Sequence, residues 1–196
     1  MVLLGLTGGI GMGKSACAQL LRARSVPVVD TDEVAREVVE PGQSALEDIR
    51  RAFGPSVFGS DGCLLRDQLA RRVFAVPEAR TQLEAILHPR IRERWHAQAA
   101  TWRNEGSPLA VVEIPLLFET GAQQEFDATI CVACSAATQR DRLLARHWSP
   151  EEIEQRLRAQ WTPEAKMARA DYVIWSEGSL DVHAQQLERI LSRFRS

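Results

Sequence analysis

Residues 8–15 read Gly-Gly-Ile-Gly-Met-Gly-Lys-Ser and follow directly on an apolar run, Val2 to Leu6. No other feature of the chain limits its fold as much. G-x-x-x-x-G-K-[ST] between a buried strand and a helix is the phosphate-cradling P-loop, with Gly8, Gly13, Lys14 and Ser15 at its fixed positions. Glycines let backbone N–H groups turn inward and approach phosphate oxygens with no Cβ in the way. The helix beginning near Lys14 then points the positive end of its dipole at the same anion. In such a loop the lysine reaches the β- and γ-phosphates and the serine hydroxyl ligates Mg²⁺. The expectation is a nucleoside triphosphate site on a parallel sheet; the alternative is a glycine-rich turn that binds nothing.

The rest of the chain agrees with such a sheet. Apolar strand patterns at Val2–Leu6, Val26–Asp30, Leu109–Ile114, Ala128–Cys134 and Tyr172–Trp175 alternate with helical patterns, including Lys14–Arg24 and Leu180–Phe194. The long interval between the second and third strands predicts helices over Glu33–Val39, Ser44–Phe53, Asp67–Phe74, Glu78–Leu87 and Arg90–Arg103. Pro41-Gly42, Gly54-Pro55, Asp61-Gly62 and His88-Pro89 punctuate them. That exceeds one crossover helix and predicts a helical subdomain facing the nucleotide. Trp95 and Trp102 share a helix face with Ile91, which points to core packing. A charged stretch, Arg140–Gln160, is interrupted at Trp148-Ser149-Pro150 and has the character of a mobile lid. The 196 residues therefore divide into a core at 1–32, 106–138 and 168–196, a helical subdomain at 33–105 and a lid at 139–167.

Composition excludes several classes. A net charge of −2 supplies no basic field, so nucleic acid is not an expected partner. No apolar stretch approaches membrane-spanning length and no leader-like start is seen, so the expected location is the cytoplasm, without a membrane partner. Cys131 and Cys134 form a C-x-x-C inside an apolar, β-branched run. Side chains three apart on a strand face opposite ways, and no second pair completes a zinc site, so structural burial is expected.

Ligands of open parallel sheets bind at the carboxyl ends of the strands. Asp30 and Asp32, Glu113, Pro115 to Glu119, and Ser176 to Gly178 all fall there. Asp32 suits a general base on an acceptor hydroxyl, but it also suits a helix N-cap. Glu113 suits a carboxylate that holds a magnesium-bound water, or one that caps a helix or pairs with an arginine. Arg140, Arg142, Arg146, Arg156 and Arg158 offer planar forks for a transferring phosphate, or a solvated face paired with Asp141, Glu152 and Glu154. A regulatory GTPase would need N-K-x-D after a late strand, which is absent. A small-metabolite or nucleoside monophosphate kinase remains a rival.

Beyond this chemistry, the chain resembles the dephospho-coenzyme A kinase family nearly end to end. The resemblance is carried by Leu6–Ser15, Val28-Val-Asp-Thr-Asp32 and Ala35-Arg-Glu-Val-Val-Glu-Pro-Gly42. It continues through Asp61-Gly62, Arg66, Leu69, Val73-Phe74, Leu87-His-Pro89 and Pro115-Leu-Leu-Phe-Glu119. Gln139, Arg142, Arg146, Arg156, Gln160, Ala170-Asp-Tyr-Val-Ile174 and Gly178 complete it. It implies a P-loop kinase core with a five-stranded parallel sheet, and transfer of the ATP γ-phosphate to the ribose 3′-hydroxyl of dephospho-coenzyme A. It implies ATP contacts from Gly8, Gly9, Gly11, Met12, Gly13, Lys14, Ser15, Ala16 and Gly178. Lys14, Asp32, Arg142 and Arg146 become the catalytic candidates, and Ser15 and Glu113 the Mg²⁺ residues. Asp32, His88, Pro115, Leu116 and Glu119 become the acceptor-site candidates. A monomer or weak homo-oligomer is expected. The chain departs from the family in Ala16 for threonine, Glu113 for aspartate, His147-Trp148 in the lid turn, and Trp175-Ser176-Glu177 for an asparagine-bearing loop.

Overall fold

The structure, a computed structural model, describes residues 1–195 and their side chains except that of Phe74. The expectations that involve the Phe74 side chain or Ser196 lie outside the described residues. The chain divides into two compact units: Met1–Asp30 with the chain from Ala99 onward, and Thr31–Gln98.

The first unit is built on a five-stranded sheet in the order β2-β3-β1-β4-β5, parallel throughout. The strands are β1 (Val2–Thr7), β2 (Val28–Asp30), β3 (Leu109–Glu113), β4 (Ala128–Ala133) and β5 (Tyr172–Trp175). β1 lies between β3 and β4, in register from Val2↔Leu109 to Leu6↔Glu113 on one side and Leu4↔Ala128 to Thr7↔Cys131 on the other. A central parallel strand is covered on both faces, which explains its unbroken apolar run. The strand order reverses at β1, so its carboxyl end at Thr7 opens on the crevice where such sheets bind ligands.

One face of β1 carries Leu4 and Leu6. They pack with Val111, Ile130 and Val132 against Cys17 and Leu21 of α1 (Lys14–Arg22) and against Leu187, Ile190 and Leu191 of α9 (Leu180–Leu191). Truncating any such fully buried leucine to alanine costs about 2–5 kcal/mol. On the other face, Gly5 leaves room for the loop after β3: a Cβ there would lie 2.6 Å from Leu117 Cδ1 and 2.9 Å from Phe126 Cδ2. Aspartates hold the starts of two strands. Asp127 accepts from the Leu3 N–H at 2.7 Å and Asp171 from that of Thr129 at 2.8 Å. This unit also holds α6 (Ala136–Leu144), α7 (Pro150–Arg158) and α8 (Pro163–Met167). The break between α6 and α7 falls where the sequence expects it. Ser149 N-caps α7 in a capping box with Glu152, and Pro150 starts the helix.

The second unit is helical: α2 (Thr31–Glu37), α3 (Ser44–Phe53), α4 (Arg66–Ala75) and the larger part of α5 (Pro77–Asn104). Ile49, Phe53, Val57, Leu69 and Trp95 are buried in it. Arginines tie its helices together. Arg90 pairs with Asp48, Arg94 donates to Gln43 at 3.2 Å, and Arg72 donates to the Phe53 carbonyl at 2.7 Å. One sequence expectation fails here. His88-Pro89 does not separate two helices; α5 runs unbroken for 28 residues with Pro89 inside it. Proline removes one helical N–H and crowds the preceding turn. The carbonyl left without a backbone donor is that of Ala85; one residue on, the Arg90 guanidinium donates to the Ile86 carbonyl at 2.7 Å. Trp102, expected in the core beside Trp95, is only half-buried.

Candidate active site

The loop between β1 and α1 is shaped by two glycines at which any side chain would be strained. Gly8 has φ 149°, and a Cβ there would lie 2.3 Å from the Val132 carbonyl oxygen of β4. Gly13, the left-handed N-cap of α1 at φ 97°, would bring a Cβ 3.0 Å from Ser176 Oγ. The loop thus lies tight against the ends of β4 and β5. No side chain caps the N-terminus of α1, and no acidic residue occupies its first turn. The positive end of the helix dipole is left for an external anion. Lys14 Nζ donates to the carbonyls of Gly8 at 3.0 Å and Gly9 at 3.2 Å, which holds its ammonium over the loop. Ser15 is exposed in the first turn of α1, and Ala16 is half-buried beside it.

Side chains from distant segments clamp this loop. Gln139 donates to the Ile10 carbonyl at 2.7 Å, and the Ile10 N–H donates to Gln160 Oε1 at 3.2 Å. Ser176 donates to the Met12 carbonyl at 2.6 Å. Arg142 donates to Ser176 Oγ at 2.9 Å, the Ser176 carbonyl at 2.7 Å and the Gly11 carbonyl at 3.4 Å. Met12 is fully buried, and its thioether accepts from the Cys134 N–H at 3.1 Å. Of the remaining arginines, Arg146 is exposed and unpaired among the described residues. Arg156 lies 4.3 Å above the Trp148 ring and Arg158 pairs with Glu154 at 3.5 Å, so these read as a packed surface.

The strand ends supply the carboxylates. Glu113 closes β3 opposite Leu6 and Asp30 and is 4% exposed. Its charge, secondary to burial, helps push the Cys17 thiol up to about 12. Beyond β3, the Pro115 carbonyl accepts from Lys166 Nζ at 2.6 Å and from Thr7 Oγ1 at 3.2 Å. Lys166 also pairs with Glu119 at 2.9 Å. At the end of β5, Glu177 accepts from the Ser135 N–H at 2.7 Å and from the Trp175 indole at 3.1 Å. Hydrogen bonds from Ser135 and Thr138 hold its carboxyl down at about 2. Gly178 follows at φ 91°, exposed.

The oxygen donors fit a magnesium ion carried by phosphate. The described residues contain no cluster of three or more His, Cys, Asp or Glu able to hold a metal. Mg²⁺ keeps several waters and takes only one or two protein oxygens alongside substrate phosphates. The Ser15 hydroxyl and one carboxylate such as Glu113 are a donor set of that kind. The cysteines are unpaired; burial pushes Cys131 up to about 11, and neither it nor Cys134 forms a disulfide.

The other candidates belong to the second unit. Asp32 lies within the first turn of α2, after its first residue Thr31, and is exposed. It is therefore not the N-cap that the sequence allowed. His88 is exposed in the middle of α5.

Comparison with known proteins bears on this arrangement directly. The sequence profile of the dephospho-CoA kinase family matches residues 2–181. The chain belongs to that family. It is 42% identical to the dephospho-CoA kinase of Bdellovibrio bacteriovorus, over 96% of this chain and 94% of that one. Its fold superimposes on a crystal structure from Thermus thermophilus with a TM-score of 0.87 at 36% identity, covering 100% and 98% of the two chains. It also superimposes on the dephospho-CoA kinase of Campylobacter jejuni with a TM-score of 0.72 at 25% identity, covering 97% and 96%. The five-stranded P-loop kinase fold is therefore that of the family. No helix among the described residues is long and apolar enough to cross a membrane.

Sequence reasoning missed two residues of this site. Ser176 was legible only as a polar residue at a strand end, yet it joins the loop to Arg142. Lys166 gave no signal at all, because a lysine in a short polar helix reads as surface; it is fully buried.

Proposed function

We propose that the protein transfers the γ-phosphate of ATP to the ribose 3′-hydroxyl of dephospho-coenzyme A. The products are coenzyme A and ADP, and the reaction is the last step of coenzyme A synthesis, in the cytoplasm. What carries this reading is the clamped phosphate loop in a chain that matches the family over residues 2–181. The loop N–H groups and the α1 N-terminus bind the phosphates through Gly8, Gly9, Gly11, Met12, Gly13, Lys14, Ser15 and Ala16, with Gly178 bordering the base. Phosphoryl transfer requires little covalent work of the protein, so catalysis is positioning and charge stabilisation. Lys14 leaves its carbonyl partners for the β- and γ-phosphates. Arg142 brings positive charge to the loop, and exposed Arg146 adds a second fork when the α6–α8 segment closes as a lid. Asp32 orients the acceptor hydroxyl and takes its proton. Acceptor contacts are assigned to His88 within the Thr31–Gln98 unit and, within the first unit, to Pro115 and Leu116 of the turn after β3. Ser15 and Glu113 are the residues that would hold Mg²⁺, which would supply positive charge against the phosphates.

A coupled ADP-release assay with ATP and Mg²⁺ tests the reading, comparing dephospho-coenzyme A with adenosine, AMP and shikimate as acceptors. Turnover with dephospho-coenzyme A alone, giving the 3′-phosphorylated product, is expected. Preferred turnover with another acceptor would overturn the substrate, and none with any acceptor would overturn the activity.

A further inference from the structure

Among the described residues Lys166 is the largest fully buried side chain, and its ammonium is far from ordinary for a five-residue helix. A buried charge persists only when it is paired and hydrogen-bonded. Lys166 Nζ has both kinds of partner: the Pro115 carbonyl at 2.6 Å and Glu119 Oε1 at 2.9 Å. The same Glu119 Oε1 accepts from the Trp161 N–H at 2.9 Å. Glu119 Oε2 is buried with no hydrogen-bond partner, so one carboxylate oxygen takes the whole load. Trp161 is fixed a second time, under the Arg169 guanidinium at 4.6 Å from its ring.

The residue before Trp161 is Gln160, whose Oε1 accepts from the Ile10 N–H of the phosphate loop. The Ile10 carbonyl is held from the other side by Gln139 at 2.7 Å. A continuous path therefore runs from Lys166 through Glu119 and the Trp161 backbone to Gln160 and Ile10. The Cys131 thiol, raised mainly by burial, feels Lys166 and Lys14 together, with Glu119 opposing them.

We propose that Lys166 and Glu119 are positioning residues for the phosphate loop, acting through Gln160 to orient the backbone at Ile10. Glu119 is on this account not an acceptor ligand but the fastening of the α7–α8 linker. The inference rests on the kinase reading, and a double-mutant cycle on ATP affinity separates the two. Isothermal titration of ATP into the full chain compares wild type, Glu119→Gln, Gln160→Ala and the double variant, each confirmed folded by its thermal melt. If the path is right, each single change weakens ATP by about 5–10-fold and the double change by no more than either, because the second cut falls on a path already broken. Independent, multiplying effects, or an unchanged affinity in Glu119→Gln, would overturn the proposal and leave a buried ion pair that only stabilises the fold. Should Glu119→Gln not fold, Lys166→Arg takes its place under the same criteria. A wild type that binds no ATP would instead overturn the kinase reading, and this inference with it.

Discussion

Gly8→Ala is the most informative single change to the loop, because two separable costs meet at one atom. At φ 149° an L side chain is strained, and its Cβ would lie 2.3 Å from the Val132 carbonyl oxygen. That oxygen is backbone in a strand paired on both sides, so it cannot swing away. Gly178→Ala isolates the first cost: φ is 91°, and a Cβ would meet nothing within 4 Å. Left-handed strain costs about 1–2 kcal/mol, and the stiffer unfolded chain returns about 0.4–1 kcal/mol. Gly178→Ala is therefore expected to lose about 1 kcal/mol. Overpacking against rigid backbone adds about 1–3 kcal/mol, which takes Gly8→Ala to about 3 kcal/mol or more. At about 2–4 °C per kcal/mol for a chain of this size, its Tm falls by roughly 10 °C, against roughly 3 °C for Gly178→Ala. Urea midpoints and thermal melts of the two variants check this. If Gly8→Ala melts within a degree or two of Gly178→Ala, the close approach of the loop to β4 is wrong.

Three further outcomes are expected. Ser176→Ala removes the hydroxyl between Met12 and Arg142, so ATP affinity should fall about 10-fold, with a stability cost of about 1–2 kcal/mol for the orphaned groups; calorimetry and urea unfolding read both. Asp32→Asn leaves the phosphate contacts alone, so kcat should fall by orders of magnitude while KM for ATP changes little; a normal rate per folded molecule would remove Asp32 as the base. The Glu177 carboxyl is lowered from an ordinary 4.5 to about 2. The charged form is favoured by folding, so its contribution is fully present above pH 4.5 and is lost as pH falls toward about 2. Urea midpoints across that window should fall less steeply in Glu177→Gln than in the wild type; parallel slopes would refute the cause.

Much of the fold was readable because it depends on local pattern. The strand Tyr172–Trp175 and the helix Ser44–Phe53 have the bounds their apolar spacing and flanking turns predict. Strand starts shifted by a residue or two at Val28, where Val26 is buried but lies before the ladder. Proline at 89 misled because its rule describes the local backbone alone, and α5 continues through it as one helix despite the lost N–H. The departure at Trp175-Ser176-Glu177 also became interpretable only in three dimensions. Ser176 props the loop, and Glu177 ties β5 to the start of α6 at Ser135.

By itself, the sequence determined the parallel α/β class, the phosphate loop and the family, since each is written in contiguous residues whose spacing has one mechanical use. Tertiary structure alone decided which side chains hold that loop. Gln139, Gln160, Arg142 and Ser176 converge on residues 10–12 from 129 or more positions away in the chain. Lys166 becomes a buried cation only because the loop after β3 closes over it. Burial and pairing at that range depend on how strands are ordered in the sheet, and a linear pattern holds no record of that order.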